Sequence, residues 1–336
     1  MTPTWPARTL YFALSALTLA VLYFGLGPLY SRKTLILAHN LDTNHPVHRG
    51  MLDFARQVKE ESQGRIDIRL YANGQLGSER EVLEQLQIGA VALTKVSSIS
   101  LESFAPLYSA INAPYIFNDE NHAYRILDGE VGEKLLRSTV DKRFRGLTFY
   151  ASGARSFYAN KPILIPEDLK GMKMRVLGSQ TAIKMTGLLG GSAVPMPFGE
   201  VYTGLQQGVI DGAESSITAL TMSRHGEVAK HLSLDEHMVA PDVLLVSTTV
   251  WDSLSSEDQA ILKSAAERSK RNQRKYWQEA VAEHLKKATE EMGVTVHHPN
   301  KKPFADLVKP LHKELKAKSP ELHELLELIE GNGRRI

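Results

Sequence analysis

Apolar positions along the chain change period several times. Leu35 to Ala38 form a short apolar run; Val47, Met51, Phe54, Ala55 and Val58 then fall at helical spacing, and Ile66, Ile68 and Leu70 alternate with polar residues. A spacing of three or four places side chains on one face of a helix, and a spacing of two places them on one face of a strand. Ser78 followed by Glu81 is a capping box, opening a helix that presents Val82, Leu83 and Leu86. This start predicts a mostly parallel sheet covered by helices.

Past Pro106 and Pro114 the pattern is less regular. A second alternating series begins at Leu147 to Tyr150, continues through Met172 to Val176 and runs to Val209 and Ile210, so two α/β lobes are predicted. Between Ser256 and Met292 there is neither Gly nor Pro, and Ile261, Ala265, Trp277, Val281, Leu285, Ala288 and Met292 recur at mostly helical intervals. One helix of about 37 residues would span on the order of 55 Å. That exceeds a single small lobe, so the helix is expected to cross both. Leu307, Leu311 and Leu315, then Leu322, Leu325, Leu326 and Ile329, predict two terminal helices.

At the N-terminus, Arg8 precedes an uncharged stretch from Thr9 to Tyr30, which ends at Arg32 and Lys33. It is long enough to cross a bilayer once. Candidate cleavage sites are poor: Thr18 and Ala20 leave apolar sequence behind them, and Gly25 and Gly27 are followed by Pro28. An uncleaved membrane anchor is favoured over a removed signal peptide, and with either the chain from about residue 34 is exported. The expected division is 1–33 as anchor or signal, 34–155 mainly the first lobe, 156–250 mainly the second, and 251–336 as spanning and C-terminal helices.

With 336 residues, 43% of them hydrophobic, the chain can fill substantial cores. Its 40 basic and 38 acidic residues leave a net charge of +2, dispersed along the chain, so there is no footprint for nucleic acid. Cysteine is absent, which removes disulfides, thiol nucleophiles and a lipoprotein anchor.

In "GMKMRVLGS", residues 171–179, Met172, Met174 and Val176 point to one face of a strand and Lys173 and Arg175 to the other. Arg175 lies at the strand's carboxyl end, where open α/β sheets bind ligands. A guanidinium matches a carboxylate with two parallel N–H groups and keeps its charge. A solvated strand face is the alternative reading. Arg155 follows Tyr150 in a Gly-containing loop, and two arginines from two strand ends could meet in one cleft.

Three ordered stretches carry a family resemblance: "GQLGSEREVLEQLQIGAV" (74–91), "NKPILIPEDLKGMKMRV" (160–176) and "PMPFGEVYTGLQQGVIDGAE" (195–214). Over roughly residues 34 to 310 the chain resembles the substrate-binding proteins of tripartite ATP-independent periplasmic (TRAP) transporters. The resemblance implies a two-lobed α/β periplasmic binding protein fold with a long helix straddling both lobes, here preceded by one N-terminal hydrophobic helix. It also implies capture of an organic acid outside the cytoplasmic membrane and delivery to membrane subunits, without catalysis or cofactor.

The same resemblance makes Arg175 the carboxylate clamp, Arg155 a supporting arginine and Phe198 a cleft-lining aromatic. Asn40, Ser97 and Ser98 are implied as contacts from the first lobe. After "DGAE" many members carry Asn, whereas this chain has Ser215. The shorter group leaves room for a larger or differently placed ligand, or for a bridging water. In "PMPFGEVYTGLQQG" the likeness is greatest to sugar-acid members, so a uronate or aldonate is expected, with a C4-dicarboxylate binder and a ligand-binding sensor subunit as alternatives.

Gly199, Gly204, Gly208 and Gly212 are expected to turn the backbone tightly around a helix from Glu200 to Gln207. Asp211 and Glu214 could form a catalytic carboxylate pair, but residues three apart on a strand point to opposite faces, which favours a structural role. His45 and His48 bracket Pro46 with no acidic partners to complete a metal site. His39 and His45 are read as hydrogen-bonding groups for a polyol. Asp242 precedes an apolar strand and either accepts from sugar hydroxyls or faces solvent. No G-x-S-x-G, H-E-x-x-H or G-x-x-x-x-G-K motif occurs, which leaves an exported enzyme as the rival class.

Overall fold

The computed structural model describes residues 32–333; the apolar stretch assigned as a membrane anchor or signal lies outside them. Strand β1 (Lys33–Ala38), helix α1 (Pro46–Glu61), strand β2 (Ile66–Tyr71), helix α2 (Glu79–Gln87) and strand β3 (Leu93–Ser97) follow the predicted alternation. β1 pairs in parallel with β2 and with β3. The capping box forms: the Ser78 hydroxyl accepts from the Glu81 N–H, and the Glu81 carboxylate accepts from the Ser78 N–H. Short α3 (Ser98–Leu101), then α4 (Glu120–Leu127) and α5 (Glu130–Arg137), lead into β4 (Phe144–Tyr150).

The chain then enters a second sheet. β5 (Ala154–Ala159), β6 (Lys173–Val176), α6 (Gln180–Leu188), β7 (Ser192–Pro195), α7 (Val201–Gln206), β8 (Gly212–Ser215), α8 (Ile217–Met222) and β9 (His231–Val239) build it. Its order is β11-β9-β5-β8-β6-β7, where β11 is Thr295–His297, and that of the first sheet is β2-β1-β3-β10-β4, where β10 is Asp242–Ser247. Strand β10 (Asp242–Ser247) runs antiparallel to β3 and β4, so the chain returns to the first sheet at Asp242. Both sheets are mixed, not purely parallel.

Two short connections therefore join the halves: residues 151–153 between β4 and β5, and residues 240–241 between β9 and β10. They lie side by side, because Tyr150 pairs with Asp242 and Ala154 with Val239. After the short helix α9 (Thr248–Asp252), helix α10 (Ser256–Glu290) runs for 35 residues across this junction. It is tied to α1 through Tyr276 and Asn272, both donating to Asp53, and to α8 through a His284–Thr221 hydrogen bond of 2.7 Å. At its middle, Gln273 accepts from the Ala151 N–H at 2.7 Å and donates to the Ala151 carbonyl at 2.8 Å. Gly153 has φ +74°, and a Cβ there would lie 2.4 Å from the Trp277 ring, so both conformation and space require glycine.

Strand β11 (Thr295–His297) completes the second sheet, and α11 (Lys301–Lys318) and α12 (Pro320–Gly333) close the chain. Leu322, Leu325, Leu326 and Ile329 are buried in a core that also holds Val96 and Val243 from the first sheet and Phe157 and Met174 from the second. Each such side chain contributes roughly 1.5–3 kcal/mol. Leu311 and Leu315 are buried as expected, whereas Leu307 is exposed, a quarter-turn off the apolar stripe. The expected strand at Val209 and Ile210 is instead a turn: Gly208 with φ +68° ends α7, Val209 is exposed, and the strand begins at Gly212. Among the four glycines of that stretch, Gly199 needs neither positive φ nor space, while a Cβ at Gly212 would lie 2.7 Å from the Tyr158 carbonyl. No helix among the described residues is long and apolar enough to cross a membrane.

Candidate functional site

Between the sheets, next to the paired connections, lies a cavity of about 60 Å³ measured to the centre of a water-sized sphere. One water needs only roughly 10–15 Å³ on that measure, so a small organic molecule fits.

Arg175, on β6, forms the floor. It is fully buried, which removes the solvated-face reading. Met174 and Val176 on either side pack into the core and fix the strand. The Arg175 Nε donates to the Met196 carbonyl at 2.9 Å, but Nη1 and Nη2 have no partner. Burial lowers its pKa, opposed by Glu214, yet a guanidinium stays charged at neutral pH. Two buried, charged and unpaired donors are costly. An anion with two acceptor oxygens is the chemical complement. The Phe198 ring stands 5.7 Å from the guanidinium carbon and lines the same cavity.

Arg155 is the second residue of β5 and not part of the expected loop, because the strand starts directly after Gly153. Its Nε donates to Glu214 Oε2 at 2.6 Å and its Nη2 to the Glu214 carbonyl at 2.8 Å. Glu214 is thus a structural partner. Burial pushes its carboxyl up, but Arg155 and His237 hold it down at about 2. Burial likewise disfavours charge on His237, yet Asp235, 2.8 Å from Nδ1, and Glu214, 3.5 Å from Nε2, raise it to about 9. Asp211 points elsewhere and accepts from the Lys173 N–H; the two acids do not meet, as their spacing predicts.

The first sheet supplies the opposite wall. Lys95 on β3 is buried, with Nζ 3.0 Å from Glu79 Oε1, 3.2 Å from Asp242 Oδ1 and 3.4 Å from Asn40 Oδ1. Burial lowers its pKa, but Asp242 and Glu79 leave it net raised. Asp242 is buried, so it does not face solvent. Burial raises its carboxyl to about 6 against the pull of Lys95. Asn40, Ser97, Ser215 and Asp242 all line the cavity.

Two expected contacts are placed differently. The Ser98 hydroxyl donates to Asn112 Oδ1 at 2.7 Å, inside the core and away from the cavity. His39 is used on both ring nitrogens, Nδ1 accepting from the Leu41 N–H and Nε2 lying 2.9 Å from His48, and it does not line the cavity. His45 does line it. Its Nδ1 caps α1 by accepting from the Val47 N–H, which leaves Nε2 for Thr218 Oγ1 of α8 at 3.3 Å, a contact between the halves. Burial, then Lys95, keeps its pKa well below the ordinary value.

Lys95 and Glu79 went unread in the sequence, although a lone lysine in the apolar run "AVALTKVSS" is a signal of a buried, paired charge. Glu102, also unread, follows α3 and accepts from the Ser179 hydroxyl (2.7 Å), the Thr181 N–H (3.1 Å) and the Thr181 hydroxyl (2.9 Å). It anchors the start of α6, just beyond Arg175.

Two mixed sheets joined by paired connections, with a buried guanidinium whose two terminal nitrogens lack partners in the cleft between them, define a two-halved ligand-binding fold receptive to an anion. The chain belongs to the bacterial extracellular solute-binding proteins of family 7, whose pattern matches residues 37–319. It is 39% identical over 300 residues to the protein YiiZ of Salmonella typhimurium, covering 89% of this chain and 91% of that one. A TRAP periplasmic solute binding protein of Anaerococcus prevotii, solved with bound α/β-D-glucuronate, is 37% identical with a TM-score of 0.87, covering 90% of this chain and 98% of that one. A TRAP periplasmic solute binding protein of Xanthobacter autotrophicus, solved with bound β-D-galacturonate, is 37% identical with a TM-score of 0.86, covering 88% and 99%.

Proposed function

We propose that this chain captures a uronate-type sugar acid outside the cytoplasmic membrane and delivers it to the membrane subunits of a TRAP transporter. The observation that carries the reading is Arg175: it lines the cavity and holds two buried donors without partners. The ligand carboxylate accepts from both, Phe198 covers the apolar edge of the sugar ring, and Arg155 supports the positive field. Asn40, Ser97, Ser215 and Asp242 serve the hydroxyls. Bound relatives with glucuronate and galacturonate support this choice over a C4-dicarboxylate or a sensor's ligand.

Residues 34–155 and 156–250 act mainly as two lobes, with β10 returned to the first, and 251–336 bridge them. Ligand touches both lobes only when they meet, so binding stabilises the closed form. The chain performs no chemistry on its ligand. The stretch Thr9–Tyr30 tethers it to the inner membrane.

Titration calorimetry with D-glucuronate, D-galacturonate, D-gluconate, succinate and L-malate tests the reading. Saturable binding of a sugar acid, with the ligand recovered unchanged, is expected. Binding of succinate alone, or turnover of the acid, overturns it. Membrane fractionation of the full chain tests the tether.

A further inference from the structure

The two walls of the cavity carry opposite net charge, and we infer that Asp242 selects the far end of the ligand, admitting a hydroxylated chain and rejecting a second carboxylate. This rests on the sugar-acid reading and narrows it to monoanions. On the second-sheet wall, Arg175 and Arg155 supply two guanidinium groups against the single carboxylate of Glu214, which is spent on Arg155. Behind Glu214, the charges of His237 and Asp235 cancel. On the first-sheet wall one ammonium, Lys95, stands between two carboxylates, those of Glu79 and Asp242. One positive charge is in excess on one side, and on the other two negative charges are in excess once Asp42, which also lines the cavity, is counted.

The two carboxylates beside Lys95 are not equivalent. Glu79 is committed away from the cavity: its oxygens accept from Lys95, from the Ser97 N–H at 3.2 Å and from the Ser100 hydroxyl at 2.5 Å. Asp242 lines the cavity, and its Oδ1 meets Lys95 while Oδ2 is left as an acceptor. An ionised carboxylate only accepts hydrogen bonds. It therefore pairs with hydroxyl donors, whereas a second ligand carboxylate brings acceptors alone and a like charge. Taking a separation of about 6–8 Å for illustration and an effective dielectric near 20, like charges repel by on the order of 30- to 100-fold in affinity.

The test compares D-gluconate with D-glucarate, the same open hydroxylated chain with a carboxylate at each end, with D-glucuronate measured alongside, by calorimetry on the wild type, Asp242→Asn and Glu79→Gln. The wild type should prefer gluconate over glucarate by about 30-fold or more. Asp242→Asn should narrow the ratio about tenfold, mainly by tighter glucarate binding. Glu79→Gln removes the same charge without altering an atom that lines the cavity, and should narrow the ratio in the same direction by a smaller factor. An unchanged ratio in both variants overturns the inference while leaving sugar-acid binding intact. Should Asp242→Asn fail to fold, Glu79→Gln decides alone. If the wild type binds none of these acids, the sugar-acid reading falls and this inference with it.

Discussion

Replacing Arg175 by methionine separates binding from folding. The guanidinium is fully buried and makes a single hydrogen bond, to the Met196 carbonyl, with Nη1 and Nη2 unpaired. Methionine fills similar volume and removes both the buried charge and its unsatisfied donors, at the cost of about 1 kcal/mol for the lost bond. The unliganded variant should therefore be within about 1 kcal/mol of the wild type in urea denaturation, or more stable. Binding is affected far more. Two charge-assisted hydrogen bonds at about 1.5–3 kcal/mol each put the loss at roughly 3–6 kcal/mol, or about 150-fold and upward. Arg175→Lys keeps the charge and loses one bond of the pair, so about 10- to 150-fold is expected. Thermal shift reads this directly: ligand at 100 times the wild-type Kd stabilises the wild type by about 2.7 kcal/mol, and the same concentration should barely move the methionine variant. A methionine variant that unfolds readily yet binds a sugar acid within threefold of wild type would refute the reasoning, because the guanidinium would then be a structural strut.

Glu214→Gln should destabilise the protein by about 3–5 kcal/mol, since it leaves the buried Arg155 charge without its counter-ion; a loss under 1 kcal/mol in chemical denaturation would show that the pair is dispensable. His237 is raised to about 9 in the folded protein, above an unfolded value near 6.5. Its contribution is thus fully present below about pH 6.5 and is lost as pH rises through 9. Stability measured across pH 6 to 10 should decline in the wild type, with that component missing in His237→Gln; identical slopes would remove the buried network as its source. Gly153→Ala should cost more than about 1 kcal/mol, because φ is +74° and the Trp277 ring occupies the space; an unchanged melting temperature would contradict the close approach.

Much of this architecture is legible where local rules and tertiary packing agree. The capping box at Ser78 and Glu81, the Gly- and Pro-free run that becomes α10 and the alternation around Met174 all form as read. Agreement fails where a strand pattern meets a chain reversal: Val209 and Ile210 read as strand, but Gly208 takes the left-handed conformation and puts Val209 on the surface. The strand pattern leaves Arg175 open between a cleft and a solvated face, and its burial without a carboxylate partner is not legible, because that depends on Glu214 being taken by Arg155 from a different strand. Ser98 and His39 sit in sequence beside cavity residues and point away from the cavity, since neighbours on a strand or at its end face opposite sides. The ion cluster around Lys95 joins β3, β10 and the start of α2, which no spacing in the sequence connects.

The 35-residue helix fastened to both halves has a mechanical consequence. Because Gln273 grips the Ala151 backbone at the junction and neither Gly nor Pro interrupts α10, a rotation of one half against the other has no weak point at which to concentrate. Any bending of α10 is therefore spread along its length, as in a leaf spring, because the helix holds no kink site.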